Sequence, residues 1–442
     1  MLFIIAHKAE RRLVYVCEVL FRLILQVPYR IIPADRYFND EEIKNLTQGP
    51  LIFYGVEPSQ KSIYIPSSGL LSETGIRTEL PETLLKNNQL YILPQKHEFQ
   101  GFEFDLFSAS FYVLTAYYFY QARVFDKHGR YLENSNFLVQ NNYFSEPWVQ
   151  VWALSLAEKM KELFPEFSYE KPEFDWRMTI DVDHPFAFLH KGWRGIAGFA
   201  KDIITLRFNN LYYRSRAFYH HTDPYETFSF ICNELSPEKT VFFFLIWRES
   251  GYDGHFTSKN KHYQKIIKQL AGNGYQIGIH PSYLTFLSRQ AIKVEKEILE
   301  EVTGEEVKKA RQHFLRYRLP HTPEIYVNEG ITDDFNALNA TVPGFRFGMA
   351  IPFKWYNLKE DIMTSLTLQP EMVMDVTLQN YLRLDPVQAF NTIIRLIEKV
   401  RQYGGIFSML WHNSSLAEIH GWQGYRKVFL DVVSYLKQQK PI

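Results

Sequence analysis

The chain has 442 residues, 46% hydrophobic and 16% aromatic, and its 49 basic and 49 acidic side chains balance to a formal charge of zero. That composition is globular, with room for roughly two or three domains, and excludes the disordered and collagen-like classes. Lacking a basic excess, the chain is not expected to take nucleic acid as its main partner.

At the N-terminus, MLFIIAHKAERRLVYVCEVLF is interrupted by Lys8, Glu10, Arg11 and Arg12, an order unlike that of a secretory signal. No run reaches the ~18 apolar residues of a membrane helix. The richest, VFFFLIW at 241–247, is strand-length. No membrane span and a cytoplasmic location are therefore expected. The two cysteines, Cys17 and Cys232, have neither metal-site nor disulfide-framework spacing and read as free thiols.

Residues 1–165 mix short strands (LIFYGV, SIYIP, QLYILP) with aromatic-rich helical stretches at 105–121 and 148–164, and read as a smaller α/β domain. LFPEFSYEKPEFDW, with two prolines after a helical stretch, marks a boundary near 165. Residues 166–442 then alternate strand and helix. Strands are expected at 177–183, 240–247, 275–280, 311–316, 343–350, 371–376 and 405–412. The helix DPVQAFNTIIRLIEKVRQYGG carries Asp385 as its cap, Pro386 at its first position and a glycine stop. Near-continuous apolar strands between helices indicate a parallel sheet clad in helices, closed as a distorted (β/α) barrel of about seven strands. Neither GxGxxG nor a P-loop is present, which argues against dinucleotides and nucleoside triphosphates.

MTIDVDHP at 178–185 places Asp181 and Asp183 on one side of a strand, roughly 6 to 7 Å apart, just where it ends. His280 closes YQIGIH, His313 and Arg316 fall in RQHFLR, Asp375 follows EMVM and His412 follows GIFSML. Each alone could finish an ordinary turn. Together they put acids and imidazoles at several strand ends, which converge on one rim in a parallel barrel. His220, His221, His255, His262 and His321 fall in expected loops or helices and are not candidate ligands. Tyr252, Asp253 and His255, just beyond the second strand, are within reach of the rim as substrate contacts.

TIDVD, GIHPSY, RQHFLR, GFRFG, MDVTL and SMLWHNSS, in that order, resemble the polysaccharide deacetylases with a NodB-homology domain, over roughly 170–430. FDLFSASFYVLTAYYFY, DKHGRY and EPWVQVWA are similar to the extra N-terminal domain of a divergent bacterial branch. The resemblance implies a carbohydrate substrate, removal of acetyl groups and a divalent metal, above all Zn²⁺. It also implies roles: Asp181 as the base that activates water, Asp183 and His280 as metal ligands, and His412 as the acid, oriented by Asp375. Where the family has its second histidine this chain has Leu284, and His313 is the substitute ligand. Arg311 matches the arginine that holds the base, with Arg316 as its rival. Tyr283, Arg316, Arg346 and Trp411 are the expected substrate contacts. The aromatics Trp247, Tyr283, Tyr356 and Trp411 offer flat faces for a sugar ring. Two other readings stand beside this one: a hydrolase of a non-sugar amide, and a catalytically silent binder of glycans or a partner.

Overall fold

The computed structural model describes residues 1–86, 89–122, 124–132, 136–140 and 143–439. Near the N-terminus β1 (Leu2–Ala6), β2 (Tyr29–Pro33), β3 (Leu51–Tyr54) and β4 (Ile63–Ile65) pair in parallel in the order β2-β1-β3-β4. β1 is the apolar start of the chain, with Leu2, Ile4 and Ile5 fully buried. A hairpin of β5 (Thr83–Lys86) and β6 (Gln89–Ile92) follows. The aromatic stretch expected as one helix is two, Leu106–Leu114 and Tyr117–Gln121, because Ala116 between them turns to φ 47°.

Downstream, nine strands among the described residues form one sheet: β7 (Phe174–Val182), β8 (Thr240–Phe244), β9 (Gln276–Ile279), β10 (Lys309–Ala310), β11 (Asp333–Ala337), β12 (Phe353–Asn357), β13 (Ile362–Pro370), β14 (Val373–Met374) and β15 (Gly405–His412). Their order is β12-β13-β11-β10-β9-β8-β7-β15-β14, and only the β12–β13 pair is antiparallel. The protein is thus mixed α/β.

Two contacts show that this sheet curls. Phe243 on β8 and Phe335 on β11 lie three strands apart, ~14 Å in a flat sheet, yet their ring centroids are 5.0 Å apart. Arg177 on β7 donates to Gln369 on β13, five strands along the order, at 2.8 Å. β13 and β14, at or near opposite edges, are separated in sequence by Glu371 and Met372 alone. The inner face of the curl is therefore enclosed, and the outer face packs on helices such as Pro386–Tyr403, whose Asp385 closes a capping box with Gln388.

Two expected strands are trimmed, 240–247 to Thr240–Phe244 and 275–280 to Gln276–Ile279, and three more are cut further or absent. In 311–316 pairing stops at Ala310, and His313–Leu315 is a tight turn with Phe314 and Leu315 at positive φ. In 371–376 only Val373–Met374 pair. Residues 343–350 form turns. Gly344 sits at φ 149°, where a Cβ would come within 2.2 Å of the Phe144 carbonyl, and Val149 N donates to Gly348 O at 3.1 Å. That segment is the seat of the N-terminal part, not a strand. The two parts share one contiguous apolar core; Tyr356 packs against Tyr15 (4.8 Å) and Phe111 (5.2 Å) there. Both cysteines are free thiols. Among the described residues no helix is long and apolar enough to cross a membrane.

Candidate active site

Strand alternation sorts β7 into two faces. Met178, Ile180 and Val182 turn outward, fully buried under helices, while Arg177, Thr179 and Asp181 turn inward and Asp183 follows one step past the strand. Arg311, at the end of β10 and fully buried, knits this interior together. It donates to Asp181 Oδ1 at 2.5 Å, Thr179 Oγ1 at 2.8 Å and the Phe335 carbonyl at 3.2 Å, and it pairs with Glu371. Its guanidinium lies 4.4 Å from the Phe243 ring centroid. Glu371 also accepts from Thr179 at 2.6 Å and from Ser408 at 3.1 Å; burial pushes its pKa up, against the pull of Arg311. Arg316, the rival partner for Asp181, is engaged elsewhere.

Above this layer sit three imidazoles, each fixed through Nδ1. His280, after β9, places Nδ1 2.6 Å from the Arg311 carbonyl. A carbonyl only accepts, so Nδ1 carries the proton and Nε2 of the neutral ring keeps a lone pair. His313 places Nδ1 3.1 Å from Asp253 Oδ1, an acceptor, so its Nδ1 also carries a proton. Burial disfavours the charged form of this ring, but Asp183 and Asp253 outweigh it and push the imidazole up to about 9. His412, closing β15, takes both oxygens of Asp375: its backbone N donates to one at 2.8 Å and its Nδ1 to the other at 2.8 Å. All three Nε2 atoms face Asp183, at 3.2 Å (His280 to Oδ1), 3.6 Å (His313 to Oδ2) and 3.7 Å (His412 to Oδ2).

The electrostatics follow. Burial opposes ionisation of Asp183, but the imidazoles of His313 and His280 outweigh it and hold the carboxyl well below its usual range. Burial likewise disfavours the charged form of His412; Asp375, Asp183 and Asp181 overcome it and push the imidazole up to about 10. Asp183 Oδ1 is buried without a hydrogen-bond partner among the described residues. Such an orphaned carboxylate oxygen is costly unless a cation meets it. Asp183, His280 and His313 each offer one ligand atom, all within 4.8 Å of one another. One carboxylate and two imidazoles, each tied back through Nδ1, form a donor set that fits a divalent transition metal, which would take the place of the proton that Asp183 and Asp253 favour on His313. Beside them a cavity of about 390 Å³ opens, lined by Asp181 and His412 and by the apolar Leu315, Met374 and Leu410.

Asp181, Asp183, His280, Arg311, His313, Asp375 and His412 thus meet around one point. Leu284, where the family's second histidine would stand, is 52% exposed on the turn after β9. Other expected residues are placed differently. Trp411 is fully buried and packs outward on Tyr425 and Phe429, because its neighbours Leu410 and His412 take the inward face. Tyr283 gives its hydroxyl to His128 at 3.1 Å and stacks on Tyr252 at 4.4 Å, and Arg316 lies 4.0 Å over Tyr283 while donating to the His128 carbonyl at 2.6 Å. That pair fastens the 126–131 segment to the rim and leaves the cavity to others. Arg346 is buried, donating to the carbonyls of Asn336 and Leu338 at 3.0 and 2.6 Å, and borders an adjoining cavity of about 820 Å³. Tyr356 lies in the core shared with the N-terminal part, away from the rim. Trp247 is half-buried beside Glu249.

Asp253, expected near the rim, is taken up by His313, whose Nδ1 lies 3.1 Å from its Oδ1. It is 2% exposed, accepts from Ser250 N and Tyr283 N at 2.8 Å each, and is held down to about 2 against the opposing effect of burial by His313 and these donors. Sequence reasoning also missed Glu371, an acid heading the apolar run EMVM, and Arg130, which donates to Tyr381 at 3.0 Å at the cavity's edge. An acid at the start of a strand whose other residues are apolar was the available signal for Glu371.

Residues 2–165 match a family described as a family of unknown function, DUF7033. No curated protein matches the chain. Among solved structures, a Mycobacterium smegmatis protein assigned as a polysaccharide deacetylase aligns at 15% identity and TM-score 0.37, over 61% of this chain and 87% of that one. A polysaccharide deacetylase of Bacillus cereus aligns at 9% and 0.30, over 59% and 87%. A CE4 family pseudoenzyme of Bacillus anthracis aligns at 11% and 0.30, over 60% and 62%. The fold and the site stand on the strand pairing and side-chain contacts above.

Proposed function

We propose that this chain is a metal-dependent hydrolase that removes acetyl groups, N-acetyl above all, from a sugar or cell-surface glycan. The observation that carries this reading is the buried Asp183 carboxylate, its Oδ1 without a hydrogen-bond donor among the described residues, with His280 Nε2 3.2 Å from that oxygen and His313 Nε2 3.6 Å from the other, both rings tied back through Nδ1. The order of the motifs TIDVD, GIHPSY, RQHFLR and SMLWHNSS supports it further. On this reading the large sheet is a distorted barrel of seven strands, with β12 an added edge strand and β13–β14 one interrupted strand. Residues 1–165 are an accessory domain to the catalytic 166–442.

Asp183, His280 and His313 would hold the metal, Zn²⁺ in the first instance, which when bound supplies a Lewis acid that acidifies water and polarises a carbonyl. Asp181 takes the proton of the attacking water. Arg311 fixes its Oδ1, so Oδ2, 3.6 Å from His280 Nε2, is the oxygen turned to the site. His412, kept protonated by Asp375, delivers a proton to the departing amine nitrogen, a poor leaving group without it. The apolar side chains of Leu315, Met374 and Leu410 exclude water from the acetyl methyl side.

The test is metal analysis of the purified protein beside the variants Asp183→Ala, His280→Ala and His313→Ala, with release of acetate from N-acetylated oligosaccharides, O-acetylated sugars and simple acyl amides. Near-stoichiometric metal in the wild type, lost in each variant, with acetate released from the N-acetyl sugars, is expected. A metal-free folded protein would favour a silent binder, and release from simple amides alone a different amidohydrolase.

A further inference from the structure

Between β7 and β8 the chain inserts a helical hairpin, Trp193–Ile204 and Phe208–His220, whose amphipathicity is inverted. A surface helix ordinarily turns its apolar stripe to the core. Here the buried positions are Gly195 and Asp202 on the first helix and Arg214 and Ala217 on the second, with Arg214 paired to Asp202 at 2.8 Å beneath the hairpin. The apolar stripe Trp193, Ile196, Phe199 and Ile203, at helical spacing of three and four, faces solvent together with Ile204, Ile196 being 75% and Ile204 80% exposed. Leu206 and Phe208 at the bend and Phe218 and Tyr219 on the second helix extend the exposed apolar surface.

Charge sets this surface apart as well. Residues 191–221 carry six basic side chains (Lys191, Arg194, Lys201, Arg207, Arg214 and Arg216) against Asp202 alone, leaving 43 basic and 48 acidic residues in the rest of the chain. A locally cationic, apolar surface thus sits on an otherwise acidic protein. The hairpin is also firmly seated. Asp223 accepts from the backbone N–H groups of Ala187, Phe188 and Leu189 at 2.6–2.8 Å, Asn210 meets His420 at 2.9 Å, and Ala217 packs with Phe188 and Ile419. These supports are the loops after β7 and β15, the rim that also carries Asp183 and His412.

We propose that the hairpin is an interfacial anchor that docks the protein on a membrane surface containing anionic lipid, its apolar residues entering the headgroup boundary and Arg194, Lys201, Arg207 and Arg216 pairing with lipid phosphates. Exposed Trp and aliphatic residues bordered by Lys and Arg are what such a boundary selects. A second copy of the chain fits poorly, because face-to-face packing would oppose two surfaces of the same positive sign. The hairpin lies on the bilayer and does not span it.

The test is flotation of the full chain with phosphatidylcholine vesicles, alone or with about one third phosphatidylglycerol, at low and high salt. Variants are Ile196→Asp with Ile204→Asp, and Arg194→Glu with Lys201→Glu, each checked for an unchanged melting temperature at these exposed positions. Wild type is expected to bind the anionic vesicles about tenfold or more better than the neutral ones, with salt weakening the binding and each variant losing about tenfold or more. Three results would overturn the proposal: wild type remaining unbound at low salt, variants binding like wild type, or a dimer that the aspartate variant disperses. The readout needs neither substrate nor metal, so its failure is separable from failure of the hydrolase reading.

Discussion

Replacing Arg311 by Met tests whether the barrel interior is held by one buried cation between two buried acids. Arg311 is fully buried, and its partners Asp181 and Glu371 are 2% and 1% exposed. Removing one member of a buried pair strands the other's charge, at a cost of ~3–5 kcal/mol. Loss of the guanidinium over the Phe243 ring, 4.4 Å away, adds about 1 kcal/mol. A total of ~4–6 kcal/mol is a large part of the 5–15 kcal/mol that holds an ordinary domain, so the variant is expected to unfold at much lower denaturant. Adding Glu371→Met removes one stranded acid and should restore about 2 kcal/mol or more, giving a large coupling between the two positions. Urea unfolding followed by circular dichroism, at one pH for wild type, both single variants and the double variant, measures the cycle. Arg311→Met within about 1 kcal/mol of wild type, or strictly additive variants, would refute the reasoning.

Asp181→Asn is expected to keep its metal while turnover falls at least about a hundredfold, because it removes a base and spares the ligands; metal analysis beside acetate release separates the two. Asp375→Ala should leave metal content unchanged and lower kcat by a comparable factor, since His412 loses both the bond that orients its ring and the charge that keeps it protonated. Glu295, 1% exposed and bonded to Ser282 N at 2.9 Å, is pushed up to about 7 by burial, chiefly, against the pull of Ser282. A raised acid contributes most below its unfolded pKa of 4.5, and stability is lost as pH climbs from there toward 7. At about 1.4 kcal/mol per pH unit, the wild type should lose ~3 kcal/mol relative to Glu295→Gln over that window. Parallel stability curves for the two proteins would show that Glu295 titrates normally.

Part of the candidate site was legible because strand geometry is local. Alternation puts Asp181 and Asp183 on one side of MTIDVD, and an apolar strand ending in a histidine marks His280 and His412. The same alternation, carried back one residue from His412, would have turned Trp411 outward. His313 was assigned to a strand and lies on a turn, since pairing ends at Ala310 and the chain bends through Phe314 at φ 60°. The bond of Asp253 to His313 and the part of Glu371 were not legible because their partners lie 60 residues away in sequence, at His313 and Arg311.

By itself the sequence determined what repeats over a few residues: strand-and-helix alternation, the Asp385 cap and the polar groups at strand ends. Tertiary structure alone decided how far the sheet curls, and so which strand ends meet, which acid neutralises Arg311, and which way each amphipathic face turns. The division is physical. Periodicity is set by backbone geometry within one element, whereas the pairing of buried charges and the covering of apolar faces depend on neighbours that only the closed sheet brings within hydrogen-bonding distance.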